Sequence, residues 1–146
     1  MIRISCTLFI LCSLFSVNCH ADSMIWSGPV KSDGTSTPKI KLVLGQKYQI
    51  KVSGTMNLGL WWKGGEMLKN DACYEFNDQI TPDPLSSFKN SLAISVCDGK
   101  YHANHFYESL PFVAAQSGIH FWINDTNYED NSGELEAQVI LIDSES

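Results

Sequence analysis

The chain has 146 residues, with 10 Lys and Arg against 16 Asp and Glu and a formal net charge of −6 at neutral pH. That acidic balance argues against nucleic acid, whose phosphate backbone selects basic surfaces. It is compatible with divalent cations and neutral sugars.

In chain order, the first segment reads as an address rather than as structure. Arg3 gives a short positive start, Cys6 to Val17 is a short apolar run, and Cys19-His20-Ala21 offers small residues at the positions a signal peptidase reads. Residues 1–21 are therefore expected to be a secretory signal peptide cleaved after Ala21. The run is too short to span a bilayer, and a lipid-modified Cys19 is the weaker alternative because Val17-Asn18 is a poor approach to such a cysteine. The remaining chain, Asp22 to Ser146, is one domain's worth of sequence. A domain of that size hides roughly two-thirds of its unfolded surface. Without Arg3, nine of the ten basic residues face sixteen acidic ones. Three of the five cysteines, Cys6, Cys12 and Cys19, leave with the leader. Cys73 and Cys97 remain as an even pair in an exported chain, so a disulfide is expected.

Almost everything that follows reads as strand. Tyr48, Ile50 and Val52 alternate with Gln49 and Lys51. Leu92, Ile94 and Val96 alternate with Ala93 and Ser95. Ile119, Phe121 and Ile123 alternate with His120 and Trp122, and Leu135, Ala137, Val139 and Leu141 with Glu136, Gln138 and Ile140. Period 2 sends one set into a core and the other outward. Turn signals are dense, among them Gly28-Pro29, Asp33-Gly34, Gly45-Gln46, Gly64-Gly65, Thr81-Pro82-Asp83-Pro84, Asp98-Gly99 and Ser132-Gly133. No segment carries a helical period with caps. The expected fold is all-β, an antiparallel β-sandwich in a single domain, 22–146. Asn70 to Lys89 is the least strand-like stretch and is expected to be a long surface loop tied down at Cys73.

The strongest chemistry lies between the last two predicted strands, in Ile123-Asn124-Asp125-Thr126-Asn127-Tyr128-Glu129-Asp130-Asn131-Ser132-Gly133. Six of these eleven residues carry a side-chain carboxylate or amide. Ca²⁺ takes six to eight such oxygens. If the flanking strands are neighbours, Asp125 faces Asp130 and Asn131. Two carboxylates held close repel unless a cation neutralises them or one takes a proton. The backbone carbonyls of Thr126 and Asn127 are candidates to complete the shell. The alternative is an ordinary hairpin loop, since Asn, Asp, Ser and Gly favour turns for their own reasons. The spacing of an EF-hand is absent.

Asn124-Asp125 followed by Asp130-Asn131-Ser132-Gly133 resembles the terminal signature of the LecA-like bacterial galactophilic lectins, small calcium-dependent β-sandwiches. Trp26-Ser27-Gly28-Pro29-Val30 is similar to that family's opening, Gly45 and Gly54 resemble the glycines bounding its second strand, and Ser91 to Val96 is similar to its mid-chain strand. The resemblance implies a galactose-binding, jelly-roll-like sandwich. It implies Ca²⁺ held by Asp125, Asp130 and Asn131, with Asn127 at a threonine-type ligand position and a backbone carbonyl from Asn57 or Leu58. It further implies that a sugar diol coordinates the ion while Asp125 and Asp130 hold the same hydroxyls. This loop is two residues shorter than the family's and has Asp130 where asparagine is usual. The family's sugar-contacting His and Gln would fall in Asn70–Lys89, which has no His and only Gln79.

Trp61-Trp62 follows the expected calcium-proximal loop. Adjacent strand residues point to opposite faces, so one indole, taken as Trp62, is a candidate to stack on a sugar. More often such a Trp covers a strand edge or a disulfide. His102 and His105 have no third ligand nearby and are a weak zinc signal. His120 reads as an outward-facing or satisfied strand residue. Asn124-Asp125-Thr126 matches a glycosylation acceptor, which has meaning only in a eukaryotic secretory pathway. No nucleophile elbow or catalytic-type Cys is present. Glu66, Asp71, Glu75 and Asp78 show no spacing that favours an acid/base couple, so no enzyme is expected.

The reading is thus a secreted or periplasmic, non-catalytic, calcium-dependent carbohydrate-binding module with no stable membrane anchor. Its expected partner is a galactoside-like glycan, with homo-oligomerisation supplying avidity. The alternative is a periplasmic protein-interaction or inhibitor module, with a structural calcium and the Asn70–Lys89 loop as its contact surface.

Overall fold

The computed structural model describes residues 22–60, 65–77, 79–83 and 85–142. The expected signal peptide, Trp61, Trp62 and Asp78 lie outside the described residues. Thirteen strands and no helix make up the described chain, so the protein is an all-β, antiparallel β-sandwich.

The first layer is a nine-stranded sheet. Its axis is β13 (Asn131–Ile142), whose buried residues Leu135, Ala137 and Val139 alternate with outward ones. On one side β13 pairs antiparallel with β1 (Ser23–Lys31). On the other it pairs first with β3 (Lys47–Ser53), from Ile142↔Lys47 to Glu136↔Ser53, then with β4 (Met56–Leu60), from Gly133↔Met56 to Asn131↔Leu58. The register runs through both without a slip, so β3 and β4 are two halves of one line. The break falls at Gly54, whose φ of 101° is a conformation that L side chains resist. Its N–H donates to the carbonyl of His105 instead of extending a ladder along β13.

The other side of this line is divided. β9 (Phe106–Glu108) and β10 (Phe112–Val113) pair with β3. Past the break, β5 (Met67–Asn70) pairs with β4, and β6 (Tyr74–Phe76) and β7 (Ile80–Pro82) follow as a meander.

The facing layer is smaller. β11 (Gly118–Ile119) pairs with β2 (Ile40–Lys41), and β12 (Phe121–Ile123) pairs with β8 (Phe88–Asn90). The two pairs join through Thr37 N–H donating to the Phe121 carbonyl and Ser91 N–H to that of His120. Between the layers sit Val30, Ile50, Val52, Leu135 and Val139 from one side and Ile119, Phe121 and Ile123 from the other, all at 1% exposure or less. Phe121 is the keystone, stacked on Trp26 at 5.7 Å and on Phe88 at 5.6 Å.

The disulfide forms as expected, Cys73 to Cys97, with Cα atoms 5.7 Å apart. Three expectations need correction. Leu92, Ile94 and Val96 do not form a strand: Ala93 takes φ 55°, and the Asn90 side chain accepts from Leu92 and Ile94 N–H while donating to the Ile94 carbonyl. Asn70–Lys89 is not one surface loop but a meander, with Asn70 and Asp71 fully buried. Finally, β12 and β13 do not pair. They belong to different layers, so the acidic loop crosses from one to the other.

Candidate functional site

The loop 124–130 leaves the smaller layer at Asn124, whose N–H donates to the Ser87 carbonyl at 2.8 Å. It enters the larger layer at Asn131. Its geometry is organised by Tyr128. The phenol hydroxyl accepts from Asp125 N–H at 3.1 Å, and the ring lies against Gly34. A Cβ there would stand 2.8 Å from the ring, and φ at Gly34 is +79°. The Asp33-Gly34 turn signal thus has a second use: a hydrogen in place of a side chain lets the aromatic ring close over the turn.

Asp130 is held the same way from the other flank. A Cβ on Gly59, at φ +75°, would come 2.6 Å from Asp130 Oδ2. The carboxylate therefore lies directly on the β4 backbone. It accepts from Asn127 Nδ2 at 2.8 Å and, more loosely, from Leu60 N–H at 3.3 Å. Asn131 follows, in register with Leu58. Its Nδ2 donates to the Ser32 carbonyl at 2.9 Å. Its Oδ1 is buried and has no hydrogen-bond donor among the described residues.

The structure therefore brings Asp130, Asn127, Asn131 and the Leu58–Gly59 backbone to one end of the sandwich. Asp125 sits at the other end of the loop, where its Oδ1 accepts from Thr126 N–H at 2.6 Å. No hydrogen bond links Asp125 to Asp130 or Asn131 among the described residues, and the paired strands expected to press them together are absent. Thr126 is exposed. No three His, Cys, Asp or Glu side chains converge among the described residues, so a cation at this end would draw on amide and backbone oxygens beside one or two carboxylates. That donor set suits a hard cation such as Ca²⁺. The orphaned Asn131 oxygen is the observation that fits it best, since a buried acceptor without a donor costs free energy that a cation would remove.

A second constellation was not foreseen. Asp71, with no exposed surface, accepts four hydrogen bonds. Oδ1 takes Cys73 N–H at 2.8 Å and Tyr74 N–H at 2.7 Å. Oδ2 takes the Tyr107 hydroxyl at 3.0 Å and lies 3.0 Å from His105 Nδ1. An ionised carboxylate only accepts, so Nδ1 carries the proton in that contact. Burial, reinforced by the Asp71 charge, pushes the Tyr107 phenol well above its ordinary range. His105, at φ 51°, packs on Phe76 at 4.8 Å. His102 turns instead to Asp98 at 3.0 Å, so the two histidines serve separate carboxylates. No periodicity marks this cluster. Its one sequence signal is Asp71 two residues before a half-cystine, a spacing at which Asp side chains bond backbone N–H groups.

His120 lies between β11 and β12, half-buried and stacked on Trp122 at 5.4 Å. Glu75, half-buried, has its carboxyl raised by burial and by the nearby Asp83 charge. It shares no hydrogen bond with Asp71. No family model, no curated protein and no solved structure matches the chain.

Proposed function

We propose that the protein is an exported, non-catalytic carbohydrate-binding module whose loop 124–131 holds a Ca²⁺ ion at the end of the sandwich. The observation that carries this reading is the buried, donorless Asn131 Oδ1, one residue along the chain from Asp130, whose carboxylate lies against the Gly59 backbone. Asp130 and Asn131 would hold the ion, with the Leu58 carbonyl and Asn127 in support. Asp125 and Thr126 would join from the far end of the loop, and Trp62 is kept as a candidate sugar-stacking residue. A bound Ca²⁺ offers open coordination positions that vicinal hydroxyls of a galactoside-like glycan can fill.

A second reading, a protein-interaction module, draws on a different observation. Val43, Leu44, Leu110 and Val113 are exposed at 57%, 62%, 86% and 59%. They gather where the turn before β3 meets β10, and exposed apolar patches mark interaction surfaces.

Calorimetry separates the two. Metal-stripped protein titrated with CaCl₂, then with methyl β-galactoside, is expected to give heat in both steps. Asp130→Ala should weaken the calcium step by about tenfold or more. Calcium heat without sugar heat moves the assignment to the protein-interaction module. No calcium heat, with Asp130→Ala and Asn131→Ala leaving stability unchanged, removes the cation site altogether.

A further inference from the structure

We infer that the open edge of the sandwich is a carbohydrate-binding groove that works without a metal ion, with Trp26 as its aromatic wall. The groove lies between β1 and the stretch 35–38 that leads into β2, and its volume is about 320 Å³. Trp26 alternates with Gly28 and Val30 on the inward side of β1. Its indole is braced by the stack on Phe121, with 28° between the rings. Gly28 lets the indole fold along the strand, since a Cβ there would stand 2.9 Å from its Cζ2. The ring is only partly buried, and it lines the groove.

The rim is polar and small. Thr35 and Ser36 are exposed and bring hydroxyls that both donate and accept. The Ser27 hydroxyl donates to Glu136 at 2.6 Å on the outer face of β1, so the hydroxyls of the rim are those of Thr35 and Ser36. An aromatic wall with adaptable hydroxyls above it matches a pyranose ring. The ring's C–H face is drawn to the negative face of the indole, and its hydroxyls meet partners of either sense. Lys31, the charged residue lining the groove, is close enough to Asp33 to help hold that carboxyl below its usual range, after the hydrogen bonds from Thr35. With that charge balanced, a neutral glycan fits better than an acidic one. A proline-rich peptide also favours aromatic grooves, but the hydroxyl rim favours the sugar.

The groove shares no residue with the loop 124–131, so this site does not rest on the cation reading. The test is run in EDTA for that reason. The indole N–H signal of Trp26, assigned with Trp26→Phe, is followed by NMR. Purified protein is titrated with maltotriose, cellotriose, β-1,4-galactotriose and a proline-rich decapeptide. At least one trisaccharide is expected to shift that signal saturably. Ser36→Arg, which fills the mouth from an exposed position, and Trp26→Ala should each weaken binding about tenfold. Because Trp26 also braces Phe121, Ser36→Arg decides the matter if Trp26→Ala fails to fold. The site is overturned if no trisaccharide moves the signal, if only the peptide does, or if Ser36→Arg leaves the titration unchanged.

Discussion

Asp71 shows how a single side chain organises a region that has no regular ladder of its own. Both oxygens are fully used, two backbone donors on one and two side chains on the other. They join the start of the meander to His105 and to Tyr107 of β9. An amide at this position keeps the shape but presents donors to donors on one side. Asp71→Asn is therefore expected to lower stability by about 3–5 kcal/mol, the range for breaking a buried charge from its partners. Urea unfolding monitored by fluorescence would measure it. A loss under about 1 kcal/mol would show that the cluster is incidental. The same logic makes Asn131 informative, because there one amide nitrogen is satisfied and its oxygen is not.

At the scale of elements, alternation in the sequence was a sound guide where the backbone had no local rival. Tyr48, Ile50 and Val52 are buried in β3, and Leu135, Ala137 and Val139 in β13. It failed at Leu92–Val96 because Asn90 satisfies the backbone that a strand would have offered to a neighbour. Asp83 does the same for Leu85 and Ser87, and Asp71 for Cys73 and Tyr74. Asx side chains compete with ladders in this way, and period alone does not reveal it. The acidic loop was legible as oxygen-rich, but its partners were not. The strands that flank it were legible too; that they lie in different layers was not, because layers are set by long-range packing. The disulfide was legible from parity and context alone. It ties the residue just before β6 to the segment after β8 across 24 residues. Cys73→Ser with Cys97→Ser is expected to cost about 3 kcal/mol through the freedom returned to the unfolded chain, measurable as a drop in urea midpoint. An unchanged midpoint would show that the hydrogen bonds of Asp71 and Asn90 hold the segment unaided.

For the whole molecule, the titrating groups define a window of stability. Hydrogen bonds from the Lys100 N–H and then His102 hold Asp98 below its usual range, and those from Thr35 do so for Asp33. These depressed carboxyls stabilise the fold fully above their unfolded values of about 4, and the contribution is lost as pH falls from there through their lower folded values. Glu75 is raised, so its contribution has the opposite sign, present in acid and lost as it ionises. Tyr107 is raised too. Its contribution is complete below about pH 10 and is lost above it as the unfolded phenol ionises first. Thermal midpoints are expected to hold level through neutrality and fall above about pH 10, and Tyr107→Phe should flatten that alkaline fall. A midpoint that falls equally in the variant would place the alkaline weakness elsewhere. The strand at the axis of the larger sheet has one more consequence. β1, β3 and β4 all register on β13, so three strands that precede it in the chain share one later partner. Without that partner they keep open edges, and the sheet closes in a single step when β13 docks between them.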